Sequence, residues 1–226
     1  MNPVENDMII RMQEIEKIVN LVKDIESGNN LGEQNIITTT PVIKASIVLA
    51  LYNVVESTVT NTLVRLHNII IQQNVKYDDV RRELKDICLI YYQYHNNKKN
   101  NPHEALDVLH STLNLIRGIS CFALPYKEMA KEYQLYSGNL DAKEIRRIFG
   151  KYGIVIPEEE TGKNLQKIKN ARNKLAHGEQ SFEEYGRTLV ISTIEVYKKQ
   201  TSLYLQLIIN IVKEYITDKS YLAINA

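Results

Sequence analysis

Apolar residues recur every three or four positions along nearly the whole chain, and this period constrains the fold before anything else does. Met8, Met12, Ile15, Val19, Val22 and Ile25 form one stripe of a helix over residues 6–28, and Gly28 stands where a helix C-terminal glycine belongs. Thr40 followed by Pro41 reads as N-cap and first helical position of a long helix reaching about Gln73. Val80, Leu84, Ile87, Tyr91 and Tyr94 mark a third helix between Asp78 and Asn96, which the tract HNNKKNNP breaks. Asn101, Pro102 and Glu104 supply cap, first-turn proline and capping acid for a fourth helix ending near Arg117.

Residues 118–162 are less regular. KEMAKEYQLY suits a helix, Asp141 with Glu144 caps a short helix that Gly150 closes, and GIVIP at 153–157 is the one short strand the pattern offers. Asn164 to His177 forms a helix with Leu165, Ile168, Arg172 and Leu175 on one stripe. Ser181 with Glu184 makes another capping box, and a final helix runs from about Thr188 to Ile216. The expected organisation is one all-α domain over 1–226: an N-terminal helix at 6–28, core helices at 40–117, an irregular cap at 118–162, and a motif helix and C-terminal helix at 163–217.

At 226 residues folding removes about 70% of the unfolded surface from water, so a substantial core is available. A net charge of +1 argues against a generally cationic nucleic-acid binder and leaves local patches open. Glu5, Asp7 and Arg11 interrupt the first apolar stretch, unlike a secretion signal, and the run around Ile47 to Val55 is far short of the roughly 20 residues that span a bilayer. The expectation is a cytoplasmic protein without a membrane segment. Cys88 and Cys121 are isolated thiols, suited to burial in a reducing compartment rather than to a disulfide or zinc site.

The densest chemistry lies in NARNKLAHGEQSFEEYGR at 170–187. Between Gly162 and Gly178 the charged residues are Lys163, Lys167, Lys169, Arg172 and Lys174, with no acid among them. Arg172 offers a planar fork of donors that fits phosphate oxygens, and His177 gives and takes protons near neutral pH, a pairing suited to phosphodiester chemistry. The same spacing also suits a solvated lysine helix whose terminal histidine complements the helix dipole. Against that, Arg172 shares its stripe with Leu165, Ile168 and Leu175, so it points toward packed surface. Five residues separate Arg172 from His177, about 140° around an ideal helix, so both meet one cleft only if the helix frays at its end or each faces a shared dimer axis.

RNKLAHG resembles the R-x-x-x-x-H signature of the HEPN superfamily, in which a polar residue follows the arginine, as Asn173 does here. SGNLDAKEIRRIFGKYGI at 137–154, RNKLAHGEQSFEEYGR at 172–187 and ALYNVVES at 50–57 are similar, in order, to the MAE-like HEPN nuclease branch, a likeness covering roughly residues 40–215. The resemblance implies an HEPN-like helical bundle with long core helices and an irregular insertion. It implies a metal-independent endoribonuclease, without cofactor, whose cleft forms in a homodimer; products would be cyclic 2',3'-phosphate and 5'-hydroxyl ends. Under it His177 is the acid or base, Arg172 holds the phosphate, Asn173 orients a neighbour, and Lys163, Lys167, Lys169 and Lys174 face RNA. It also suggests a toxin or abortive-infection effector in prokaryotic defence, with an antitoxin or defence-system partner. Some HEPN toxins carry a tyrosine two places after the histidine; Glu179 occupies that place here, so control by tyrosine nucleotidylation is not expected.

Other candidates divide between function and packing. Glu56, beside Val54, Val55 and Val59, either pairs with a cation such as Arg172 or reaches solvent at a helix edge. His103, Asp107 and His110 share one helix face that suits a metal or simply a solvated surface, and the latter is expected. ETGKN at 160–164 lacks the glycine and hydroxyl residue of a phosphate loop. Tyr91, Tyr92 and Tyr94, among fourteen tyrosines, suit base stacking or, at helical spacing, core and interface. Two readings compete with the nuclease: a non-catalytic HEPN-fold module binding RNA or protein, and a structural adaptor in which Arg172 and Glu56 form a buried ion pair.

Overall fold

The computed structural model describes residues 1–28, 34–97, 102–117 and 120–223; the side chains of 34–38, 95–97, 102–105 and 115–116 lie outside that description. The helices are α1 (Asn2–Glu26), α2 (Gln34–Gln72), α3 (Arg82–Asn97), α4 (Pro102–Ile116), α5 (Tyr126–Glu132), α6 (Ala142–Gly150), α7 (Leu165–Ala176), α8 (Phe182–Arg187) and α9 (Ile191–Thr217). Among the described residues there is no strand, only isolated bridges at Lys76–Cys121 and Val80–Leu222. The protein is all-α, as the helical period requires.

Several elements depart from the expected pattern, among them α5, which stops at Glu132 where KEMAKEYQLY suited a helix through Tyr136. Thr40 is not a cap: α2 begins before it, Thr40 is buried, and Pro41 lies inside the helix. Proline there forfeits one backbone hydrogen bond, which ordinarily ends a helix. Tertiary packing overrides that local signal, because Gly186 of α8 lies so close to the Pro41 backbone that a Cβ on it would sit 1.7 Å from the Pro41 carbonyl oxygen. GIVIP is not a strand either. Ile154 and Ile156 are buried and Val155 is 83% exposed, so the alternation is real, but no neighbouring strand takes up its hydrogen bonds. Thr188 is the C-cap of α8 rather than the start of the last helix, which opens at Ile191. The expected cap at Asn101 lies outside the described residues.

The chain forms two compact units, to both of which α2 and α9 contribute. The first comprises Met1–Val59, Gly138–Ile145 and Pro157–Ile209. Within it α1 and α9 run antiparallel, because Glu5 meets Gln206 (2.8 Å), Glu16 meets Lys198, and Lys23 meets Glu195 (2.5 Å). Such surface pairs add little energy and mainly report the register. Energy comes from the apolar stripes: Met8, Ile15 and Val19 of α1, Val48, Val55 and Val59 of α2, Ile168 of α7, and Ile194, Leu205 and Ile208 of α9 are all buried. Each fully buried aliphatic side chain stabilises the fold by about 1.5–3 kcal/mol. The buried Lys44 ammonium is satisfied by the Leu189 carbonyl (3.0 Å) and the Glu26 carboxylate.

The second unit comprises Thr60–Ser137, Arg146–Ile156 and Asn210–Ala226, with α3 packed against α4 and α5. Its interior holds a buried histidine, His67, whose ring nitrogens meet the Leu124 carbonyl at 2.7 Å and the Tyr152 hydroxyl at 2.9 Å. Rings of Phe122, Tyr126 and Tyr152 surround it. Burial pushes the His67 pKa down to about 4, against a smaller opposing effect of the Leu124 carbonyl, so the ring is neutral. Arg81 forms a fork to Glu83 (2.7 Å to each oxygen) and also donates to the Gly153 and Ser220 carbonyls.

By length and composition α2 from Thr39 to Gln72 is apolar enough to cross a bilayer, with mean hydropathy 1.5, yet 56% of its most apolar window is buried within the protein. The buried face carries Thr58, Thr62 and His67 beside its aliphatic residues, which is the pattern of a core helix.

Candidate active site

Helix α7 is set by a continuous apolar stripe, with Leu165, Ile168, Ala171 and Leu175 all buried. It ends cleanly. The His177 N–H still closes a helical bond to the Asn173 carbonyl (2.9 Å); Gly178 then turns left-handed at φ +69 while Gly178 and Glu179 donate back to Leu175 and Lys174. This is a glycine-dependent helix stop, and it leaves His177 at the C-cap, exposed. The helix does not fray, so Arg172 and His177 keep their separation of about 140°.

Arg172 is half-buried on the packed side of α7. Its guanidinium carbon lies 5.1 Å from the centre of the Tyr52 ring, and its Nη1 donates to the Asn173 side-chain oxygen at 3.0 Å. Tyr52 and Glu56 stand one turn apart on α2, hence on one face. Gly138, at φ +73, fits between them and the arginine: a Cβ there would lie 3.4 Å from Glu56 Oε1 and 3.8 Å from Arg172 Nη2. Glu56 and Arg172 therefore border the same small space. The Tyr52 hydroxyl donates to the Gly138 carbonyl and accepts from the Leu140 N–H (3.1 Å), and the Asn173 amide donates to the Asn139 side-chain oxygen at 2.8 Å. Arg172, Asn173 and Glu56 are thus gathered around the segment Gly138–Leu140.

The lysines separate. Lys169 is tied to Asp141 at 2.5 Å, joining α7 to the N-terminus of α6, where Asp141 also accepts from the Glu144 N–H at 2.8 Å. Burial works against the Asp141 charge, but the Lys169 and Glu144 hydrogen bonds outweigh it and hold the carboxyl below its usual range. Lys163 pairs with Glu160 on the surface. Lys167 and Lys174 are exposed, and by helical geometry they lie within about 80° of His177 rather than beside Arg172. One face of α7 therefore carries a packed arginine, and the opposite side an imidazole with two exposed lysines on one flank.

Tyr52, Gly138 and Asn139 did not stand out as site residues from the sequence. The blocks ALYNVVES and SGNLDAKEI contain them, but the signal that they surround an arginine is contact between residues far apart in the chain. Asp107 and His110 of α4 are exposed, and His103 lies outside the described side chains. Tyr91 packs edge-on against Tyr92, and Tyr94 stacks on Tyr133 at 5.7 Å, so these rings contact one another.

Residues 2–221 match the family described as HEPN_MAE_28990-like HEPN. No curated protein and no solved structure matches the chain. HEPN membership suggests an RNA-related or nuclease function. With the match running over nearly its full length, the chain belongs to this MAE-like family of the HEPN superfamily.

Proposed function

We propose that this protein is a metal-independent endoribonuclease acting as a homodimer, with Arg172, Asn173 and His177 at the reacting phosphate. The observation that carries the reading is a guanidinium held by an aromatic ring and an amide, five residues before an exposed imidazole on a sharply ended helix. In the reaction, a His177 imidazole takes the proton of a ribose 2'-hydroxyl as its oxygen attacks the adjacent phosphorus. The P–O5' bond breaks, a protonated imidazole supplies the proton to the leaving 5'-oxygen, and cyclic 2',3'-phosphate and 5'-hydroxyl ends result. Arg172 neutralises the phosphate oxygens as negative charge grows on them. Because the arginine and histidine of one chain lie about 140° apart around α7, two copies meeting along this helix offer the arrangement in which both groups address one linkage. Lys167 and Lys174 guide the strand, Glu56 orients Arg172, and the setting that fits such chemistry is a cytoplasmic toxin or abortive-infection effector held in check by an antitoxin or other defence-system partner.

Replacing His177 with Ala tests this directly. The side chain is exposed at a C-cap, so the variant is expected to fold normally and to lose RNA cleavage, while chelator leaves the wild-type rate unchanged. Unaltered cleavage by folded His177→Ala would remove the reading.

The exposed Lys167 and Lys174 favour a second reading, an RNA-binding HEPN module without cleavage. RNA binding that yields no new ends and does not depend on His177 would select it.

A further inference from the structure

Tyr52, which lies outside the R-x-x-x-x-H motif, makes two separate contacts with the Arg172 cluster. It is 1% exposed. Its ring lies under the guanidinium, and its hydroxyl both donates to the Gly138 carbonyl and accepts from the Leu140 N–H. The residue between those two anchors is Asn139, whose side chain holds the Asn173 amide, and Asn173 in turn accepts from Arg172. Ring and hydroxyl therefore fix Arg172 from opposite ends of a closed circuit. A guanidinium is weakly hydrated and stacks well on an aromatic face, and an arginine already fixed loses less rotamer freedom when an anion arrives.

We propose that Tyr52 is a positioning residue: it holds Arg172, through its ring and through the Gly138–Leu140 segment, in the orientation that receives a phosphate. The catalytic consequence rests on the nuclease reading; the positioning of Arg172 does not.

The experiment compares Tyr52→Phe and Tyr52→Leu with wild type in the full-length protein, with folding checked by circular dichroism. Three readouts apply: the side-chain Nε–H resonance of Arg172, binding of a 2'-O-methyl oligonucleotide that cannot be cleaved, and the kcat and KM of RNA cleavage. In wild type the Tyr52 ring current is expected to move the Arg172 resonance upfield. Tyr52→Leu is expected to abolish that shift, to weaken oligonucleotide binding about tenfold, and to lower kcat by more than KM changes. Tyr52→Phe keeps the ring and loses only the hydroxyl's two hydrogen bonds, so it retains most of the shift and falls between the other two in rate. The shape of the pH–rate profile is expected to stay as in wild type; a general loss of packing would not leave that profile intact while moving the arginine signal.

A folded Tyr52→Leu protein with the wild-type Arg172 resonance and wild-type binding overturns the proposal. Should Tyr52→Leu fail to fold, Tyr52→Phe decides, since an unchanged rate and unchanged binding there leave the hydroxyl no positioning role. If wild type cuts no RNA, the nuclease reading falls, and the resonance and oligonucleotide binding still decide what Tyr52 does.

Discussion

Arg172 rests its guanidinium 5.1 Å from the centre of the Tyr52 ring, and Glu56, one turn further along the same helix, borders the same space. A permanently charged group in a half-buried place needs compensation, and here it comes from three directions: a π face, a carboxylate nearby and the Asn173 side-chain oxygen. The geometry suits a planar fork and not a point charge.

Arg172→Lys is therefore expected to be far from conservative. The charge survives, but stacking on Tyr52 and two-pronged phosphate contact are lost. RNA cleavage should fall by about 10²-fold, the scale for removing one donor from a developing oxyanion. Single-turnover cleavage and a melting curve measured on one preparation check this; a large fall in melting temperature with unchanged cleavage would instead make the cluster purely structural.

Gly178 offers a test of how the histidine is presented. Its φ of +69 is costly for a side chain, while a Cβ there meets nothing within 4 Å, so the whole penalty of Gly178→Ala is backbone strain. Stability should drop by about 1 kcal/mol. For a chain of this size that lowers the melting temperature by about 2–4 °C. Cleavage should drop further than that loss explains, because the turn that leaves His177 at the helix end is disturbed. Calorimetry and initial rates measured together separate the two effects.

His67 makes a prediction about pH. The unfolded side chain titrates near 6.5, whereas burial lowers the folded one to about 4. As pH falls below 6.5 the unfolded chain takes up a proton that the folded protein refuses, and stability declines until about pH 4. The loss over that window is about 3 kcal/mol. Asp141, Glu83 and Glu184, whose carboxyls are held low, begin to give up their contributions only below about pH 5.5, so between 6.5 and 5.5 the histidine dominates the change. Urea titrations at those two values should show a clear decline for wild type and a flatter one for His67→Gln, which will be less stable throughout because the Tyr152 hydroxyl and Leu124 carbonyl lose their partner.

Sequence alone determined the all-α class, the helix stop at Gly178, and the caps at Asp141 and Ser181, because these are set by groups within four residues of one another. Motif residues 172, 173 and 177 were readable for the same reason, as positions along one helix. Only tertiary structure decided that α2 continues through Pro41, where Gly186 docks on its backbone, and that Ile154 to Ile156 meets no partner strand among the described residues. It alone decided that Lys169 belongs with Asp141 and Arg172 with Tyr52. A side chain's partner depends on which distant segments the core brings alongside it, and local period carries no information about that.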